Sequence, residues 1–137
     1  MKGVLDTSIL IEVYDRGKEK LLADILDRYN VLYVPWIVLY EYLYGHKYMG
    51  RSVQERKVAV EKLGNIVGAT QEIILQALEL DVALHKQGLT LPFSDLLVAS
   101  TAIVLGAELI TLDKEHYERI PRLRIYVPEN DDGLSCD

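Results

Sequence analysis

The chain has 137 residues, half of them hydrophobic and 26% charged, which is enough for one globular core and too apolar for a disordered chain. Its single cysteine, Cys136, cannot form an internal bridge and fits a reducing, cytoplasmic setting. No apolar run is long enough to cross a bilayer, and charges as early as Lys2 and Asp6 leave no room for the apolar region of a signal peptide. The net charge of −6 argues at first against a nucleic-acid partner. Four of the 21 acids, Glu129, Asp131, Asp132 and Asp137, fall in residues 129–137, so residues 1–128 carry 17 acids against 15 bases, or −2. We therefore expect one domain over 1–128 and an acidic, disordered tail over 129–137.

In chain order, Val4-Leu5 predicts a short buried strand ending at Asp6, with Thr7 or Ser8 capping a helix through Ile9-Leu10-Ile11. Leu21, Leu22, Ile25 and Leu26 have helical spacing within 18–29. Val31–Val34 predicts a strand, and Pro35 suits the first position of a helix over 36–48. A polar helix over 52–63 and a short strand at Ile66-Val67 follow. Thr70 opens a strong helix that Gly88 stops, and Ser94 caps a buried helix from Asp95 to Leu105 that Gly106 ends. Leu109–Leu112 predicts a strand closed by Asp113, then a short helix over 114–119 and a last strand at 124–127. Strands separated by helices imply crossovers, hence an α/β fold: a three-layer α/β/α sandwich with a mainly parallel sheet. Sites in such sheets lie beyond the carboxyl ends of the strands.

Four acids stand in apolar surroundings. Glu41 is the only charge between Asn30 and His46, and Asp95 the only one between Gly88 and Ala107; Asp6 and Asp113 directly follow apolar strand signals. A carboxylate in an apolar setting is costly unless a cation or metal compensates it, and basic partners for all four are not evident nearby in sequence. Individually, Asp6 or Asp95 could serve a helix start and Asp113 a turn. Glu41, in mid-helix, has no such role. A divalent ion held by carboxylate oxygens accounts for all four together. Gly45, one turn beyond Glu41, leaves room for metal or substrate.

With these acids placed, the sequence resembles the PIN-domain nucleases, and most closely the toxins of the VapBC type. Val4-Leu5-Asp6-Thr7-Ser8, the stretch from Val38 to Gly45, the stretch from Phe93 to Ala99 and the stretch from Ile110 to Tyr117 carry the resemblance, in order and spacing, over the chain to Pro128. It implies a Mg²⁺- or Mn²⁺-dependent endoribonuclease whose acidic quartet is Asp6, Glu41, Asp95 and Asp113. Thr7, Ser8 and Thr111 would support the site, with Glu115 as a further acid. It also implies a homodimer and a small antitoxin protein that covers the site. His116-Tyr117 departs from the family, where an acid or polar residue followed by Phe is common, and leaves the role of His116 open.

A metal would acidify a water for attack on a phosphodiester and screen the developing charge. One divalent ion would bring the body to 0, two to +2, so that RNA can approach with help from Lys47, Arg51, Arg56 and Lys57, which could equally be a solvated helix face. Gly45–Ser52 approaches the phosphate-loop pattern G-x-x-x-x-G-K-[ST] but carries Arg51 where lysine is needed. His46, His85 and His116 lack zinc-ligand spacing, and no G-x-S-x-G surrounds Ser8, Ser94 or Ser100. Trp36, Tyr40 and Tyr44 share one helix face, a stripe expected in the core or, failing that, at an interface. The competing functional readings are an RNA-processing nuclease without toxicity, and a non-catalytic module whose acidic pocket holds a partner's Arg or Lys.

Overall fold

The structure, a computed structural model, describes residues 1–130; the disorder expected of 131–137, including Cys136, lies outside the described residues. Five strands, β1 (Lys2–Leu5), β2 (Val31–Pro35), β3 (Asn65–Val67), β4 (Glu108–Ile110) and β5 (Ile125–Tyr126), form one parallel sheet in the order β3-β2-β1-β4-β5. Helices α1 (Thr7–Leu10), α2 (Glu19–Arg28), α3 (Trp36–Tyr48), α4 (Gln54–Leu63), α5 (Gln71–Lys86), α6 (Phe93–Leu105) and α7 (Lys114–Tyr117) flank it, and a π-helical turn, Ile11–Asp15, extends α1. This is the expected sandwich. None of the described helices is long and apolar enough to cross a membrane.

Strand order reverses at β1. The chain winds outward from β1 through β2 to β3, then returns to place β4 and β5 on the other side of β1. The crevice beyond the carboxyl ends of β1 and β4 is therefore the switch point at which open α/β sheets bind ligands. Central β1 is buried on both faces, with Val4 and Leu5 fully enclosed, so it reads as an unbroken apolar pair. Gly3 permits this packing: a Cβ there would stand 2.6 Å from Ile110 Cδ1 and 2.9 Å from Tyr29 Cδ1. Helix α6 is buried continuously from Leu96 to Ala102, between the sheet and α5. Its end is set by Gly106 in the left-handed conformation (φ +63°), as expected.

Several boundaries differ from the sequence reading for local reasons. Thr7 and Ser8 lie inside α1; Asp6 occupies the cap position, and its carboxylate makes no capping bond. Pro35 precedes α3 with extended ψ (143°), and Pro92 does the same for α6, so Ser94 falls in the first turn of α6 instead of capping it. Thr70 does cap α5, accepting a bond from the Ile73 amide at 3.2 Å. β4 stops at Ile110, three residues before Asp113, because the Leu112 amide turns away from the ladder to Ser8 Oγ at 3.2 Å.

The aromatic stripe of α3 is not core. Val38, Tyr42 and His46 face inward, whereas Trp36, Tyr40, Tyr44 and Tyr48 are exposed, and Tyr40, Tyr44 and Tyr48 stack with successive ring centroids 6.1 and 6.2 Å apart. At the carboxyl end, Asn130 is tied to the body: its amide donates to Glu12 Oε1 at 2.9 Å and its carbonyl oxygen accepts from Lys18 Nζ at 3.0 Å.

Candidate active site

Asp6 follows β1 directly, and its amide donates to the Ile110 carbonyl at 3.1 Å, so the loops leaving β1 and β4 are stitched together at the switch point. Its carboxylate is nearly enclosed. Thr111 Oγ1 donates to Oδ2 at 2.7 Å and Ser8 Oγ to the same oxygen at 3.2 Å. Each hydroxyl also accepts a backbone amide, Asp113 N on Thr111 at 2.9 Å and Leu112 N on Ser8 at 3.2 Å. The hydroxyl protons are thereby aimed at Asp6, which is the physical role of Thr111 and Ser8. Burial pushes the Asp6 carboxyl above the usual carboxylate range, against the opposing bonds from Thr111, the Thr7 amide and Ser8; the Asp95 charge adds to the rise.

Asp95, in the first turn of α6, reaches the same place through Tyr117. The Tyr117 ring is buried, and its hydroxyl lies 3.4 Å from Asp6 Oδ1 and 3.2 Å from Asp95 Oδ1. One hydroxyl proton is thus shared by two carboxylates. Burial, followed by the charges of Asp6 and Asp95, drives the phenol pKa far up, so Tyr117 stays a donor.

Asp113 joins through His116, whose Nδ1 lies 3.2 Å from Asp95 Oδ2 and 3.1 Å from Asp113 Oδ2. Basic partners for all four are not evident in sequence, and the structure supplies one for two of them: the imidazole three residues beyond Asp113 bridges Asp95 and Asp113. No lysine or arginine pairs with any of the four among the described residues. Glu41 is more exposed than its apolar neighbours suggested and is joined to the cluster only through Thr7, whose Oγ1 donates to Glu41 Oε1 at 3.3 Å. Beside it, a Cβ on Gly45 would meet nothing within 4 Å, so the space expected there is open.

A family model for the PIN domain matches residues 3–123. Ribonuclease VapC of Rickettsia bellii is 32% identical over 131 residues, covering 89% of this chain and 92% of its own. The chain belongs to the PIN-domain family, in its VapC branch. A VapC ribonuclease of Pyrococcus furiosus is 27% identical over 117 residues, covering 85% of this chain and 78% of its own. Among solved structures, VapBC2 from Rickettsia felis, bound to a DNA fragment from its promoter, superposes with a TM-score of 0.78 at 26% identity, covering 92% of this chain and 98% of that one.

In this PIN domain the fold connects Asp6, Asp95 and Asp113 through two side chains, Tyr117 and His116, and brings Thr7, Ser8 and Thr111 into direct contact with the acids. Their donor set is hard oxygen, which suits Mg²⁺ or Mn²⁺. Among the described residues no three acids or imidazoles are already gathered at metal-holding distances. A cation drawing on these carboxylate oxygens would compete for them with the Tyr117 hydroxyl and the His116 imidazole.

Other expected site residues lie elsewhere. Glu115 makes no hydrogen bond or ion pair with the quartet or its partners and lines a neighbouring cleft. Arg51 meets His46 Nδ1 at 3.3 Å, in a chain that continues from His46 Nε2 to Asp15 Oδ2 at 3.0 Å. Arg56 donates to the Ser52 carbonyl at 2.8 Å, and Lys57 pairs with Glu61 at 2.8 Å. Lys47 is exposed and has no ion pair among the described residues, so of the four it is the one left open to phosphate. The site residues that sequence reasoning underrated are His116 and Tyr117. Their signal was visible as a departure from the family pattern directly after Asp113.

Proposed function

We propose that the chain is a divalent-metal-dependent endoribonuclease, hydrolysing RNA phosphodiester bonds in the cytoplasm as the toxin of a toxin–antitoxin pair. The observation that carries this reading is the linked set Asp6–Tyr117–Asp95–His116–Asp113 at the sheet's switch point, carboxylate-rich and without lysine or arginine. The VapC relatives support the choice of RNA as substrate. Asp6 through Oδ1, Asp95 and Asp113 would hold the ion, with Glu41 reaching in from α3. When bound, a Mg²⁺ or Mn²⁺ ion supplies Lewis-acid chemistry: it acidifies water and screens the negative charge that builds on the phosphate.

The chain's own residues do the rest. Thr111 and Ser8 fix Asp6 Oδ2 so that Oδ1 faces the site. Tyr117 holds the Oδ1 atoms of Asp6 and Asp95 to a common direction. Thr7 orients Glu41, whose carboxylate can accept a proton at the open side next to Gly45. His116, at the exposed rim, bridges Asp95 and Asp113 through Nδ1 and so holds these two carboxylates close to each other.

For protein partners, α5 exposes Ile74, Leu75, Leu78 and Val82, an apolar face suited to a second copy of the chain, and the exposed aromatics of α3 suit an antitoxin. The deciding experiment maps cleavage of total RNA by purified protein with Mg²⁺, Mn²⁺ or chelator. Cleavage should need the metal and should vanish in Asp6→Asn and Asp95→Asn; cleavage unchanged in both variants would mark a contaminant and end this reading. Growth arrest on expression separates a toxin from an RNA-processing enzyme.

A further inference from the structure

Next to the acids lies a second cleft, walled by Leu89, Leu91 and Pro92 on one side and by Glu115, His116 and Arg119 on the other. His116 belongs to both places. Its Nδ1 edge meets Asp95 and Asp113, while the ring, 55% exposed at its side chain, also lines the cleft. One imidazole therefore borders both the carboxylates and the cleft, so a nucleotide with its phosphate at the acids would have its base next to the cleft. Glu115 and Arg119 stand four residues apart, a spacing that commonly gives an ion pair. Here they form none, with each other or with any other group among the described residues. Two opposite charges are thus presented, unpaired, at the polar wall of an otherwise apolar slot.

We infer that this cleft is a base-binding subsite that takes an unpaired guanine flanking the scissile phosphate, read by Glu115 and Arg119. This rests on the nuclease reading above. Apolar walls and the flat imidazole accept the face of a base. The two charges choose among the bases. A carboxylate only accepts, and accepts best from two parallel N–H groups; a guanidinium only donates, in a two-pronged fork. Guanine presents both matching edges: N1–H with the exocyclic amine towards Glu115, and O6 with N7 towards Arg119. Adenine, cytosine and uracil lack the paired donors. The N1–H and amine edge is the one used in Watson–Crick pairing and must be free of it, so the subsite selects a loop or single strand, which is how RNA sequence is generally read.

The test has two arms. In chelator, where no cleavage occurs, the protein is titrated with guanosine, adenosine, cytidine and uridine 5′-monophosphates by NMR. Guanosine monophosphate should bind most tightly, shifting amides around Leu89 and His116, and Glu115→Gln or Arg119→Ala should each weaken it about tenfold, the low end for losing one bidentate pair at a solvated site. With metal, loop RNAs differing only in the base beside the cut are compared; Glu115→Gln should lower kcat/KM on the guanine substrate by at least ten times more than on the uracil one. Equal binding of all four nucleotides, no binding, or unchanged guanosine affinity in both variants overturns the inference while leaving the nuclease standing. Selective guanosine binding without any metal-dependent cleavage instead overturns the nuclease reading. Because Glu115 and Arg119 are exposed and unpaired, the variants should keep the wild-type circular dichroism and melting temperature, so loss of binding reports the cleft and not the fold.

Discussion

Removing one oxygen atom at Tyr117 probes the centre of the site. The residue is 1% exposed, and among the described residues its hydroxyl is the only group joining Asp6 Oδ1 to Asp95 Oδ1, at 3.4 and 3.2 Å. A hydrogen bond to a charged group contributes about 1.5–3 kcal/mol. These two are long against the 2.5–2.7 Å of a strong hydroxyl–carboxylate bond, so the low end applies, about 1.5 kcal/mol. Tyr117→Phe keeps the ring in place and leaves no methyl-sized hole. In a domain of this size the loss lowers the melting temperature by about 5 °C. The assay is thermal unfolding by circular dichroism at neutral pH, with chelator and then with saturating Mg²⁺. In chelator the variant should melt below wild type. With metal the gap should shrink, because the cation takes over the neutralisation that the hydroxyl provides. A variant equally or more stable in chelator would refute the account, since the hydroxyl would then be merely buried and not bonded to the acids.

Three further expectations follow from other parts of the molecule. Asp6→Asn should abolish cleavage yet raise the melting temperature in chelator, because burial raises the carboxyl's pKa and the ionised form therefore costs stability at neutral pH. Differential scanning calorimetry with an activity assay checks both signs, and a less stable variant counts against the desolvation argument. Glu12 behaves oppositely: burial pushes its pKa up, but the Asn130 amide, Arg16 and Lys18 outweigh it and hold the carboxyl below its ordinary 4.5. Its contribution is then fully present above about pH 4.5 and is lost as pH falls through the lower folded value; wild type and Glu12→Gln should differ in urea stability at pH 6 and converge under acid. Gly3→Ala would press a methyl against Ile110 and Tyr29 and should cost about 1–3 kcal/mol, read as a lower urea midpoint.

Much of this architecture is legible from local pattern because its helices and strands differ in period and because Gly106 and Thr70 carry unambiguous end signals. Boundaries slip where a side chain competes for the backbone. Ser8 draws off the Leu112 amide and shortens β4, and Thr7, a plausible cap, spends its hydroxyl on Glu41. α3 is misjudged for a different reason. It is apolar on every side, so periodicity cannot tell which stripe the sheet covers, and the face of Val38, Tyr42 and His46 is buried in place of the face of Trp36, Tyr40 and Tyr44.

The amino-acid order alone picks out Asp6, Glu41, Asp95 and Asp113, since isolated charges among apolar residues violate the pattern that folding otherwise imposes. It also sets the alternation that makes the sheet parallel. What it cannot express is adjacency across a hundred residues. Strand order β3-β2-β1-β4-β5 is what carries Thr111 to Asp6 and Tyr117 to both Asp6 and Asp95. The tertiary packing likewise sets His116 against both the acids and the adjoining cleft, while its chain neighbour Glu115 lines the cleft alone. Such contacts depend on direction and distance in three dimensions, quantities that a linear spacing does not contain.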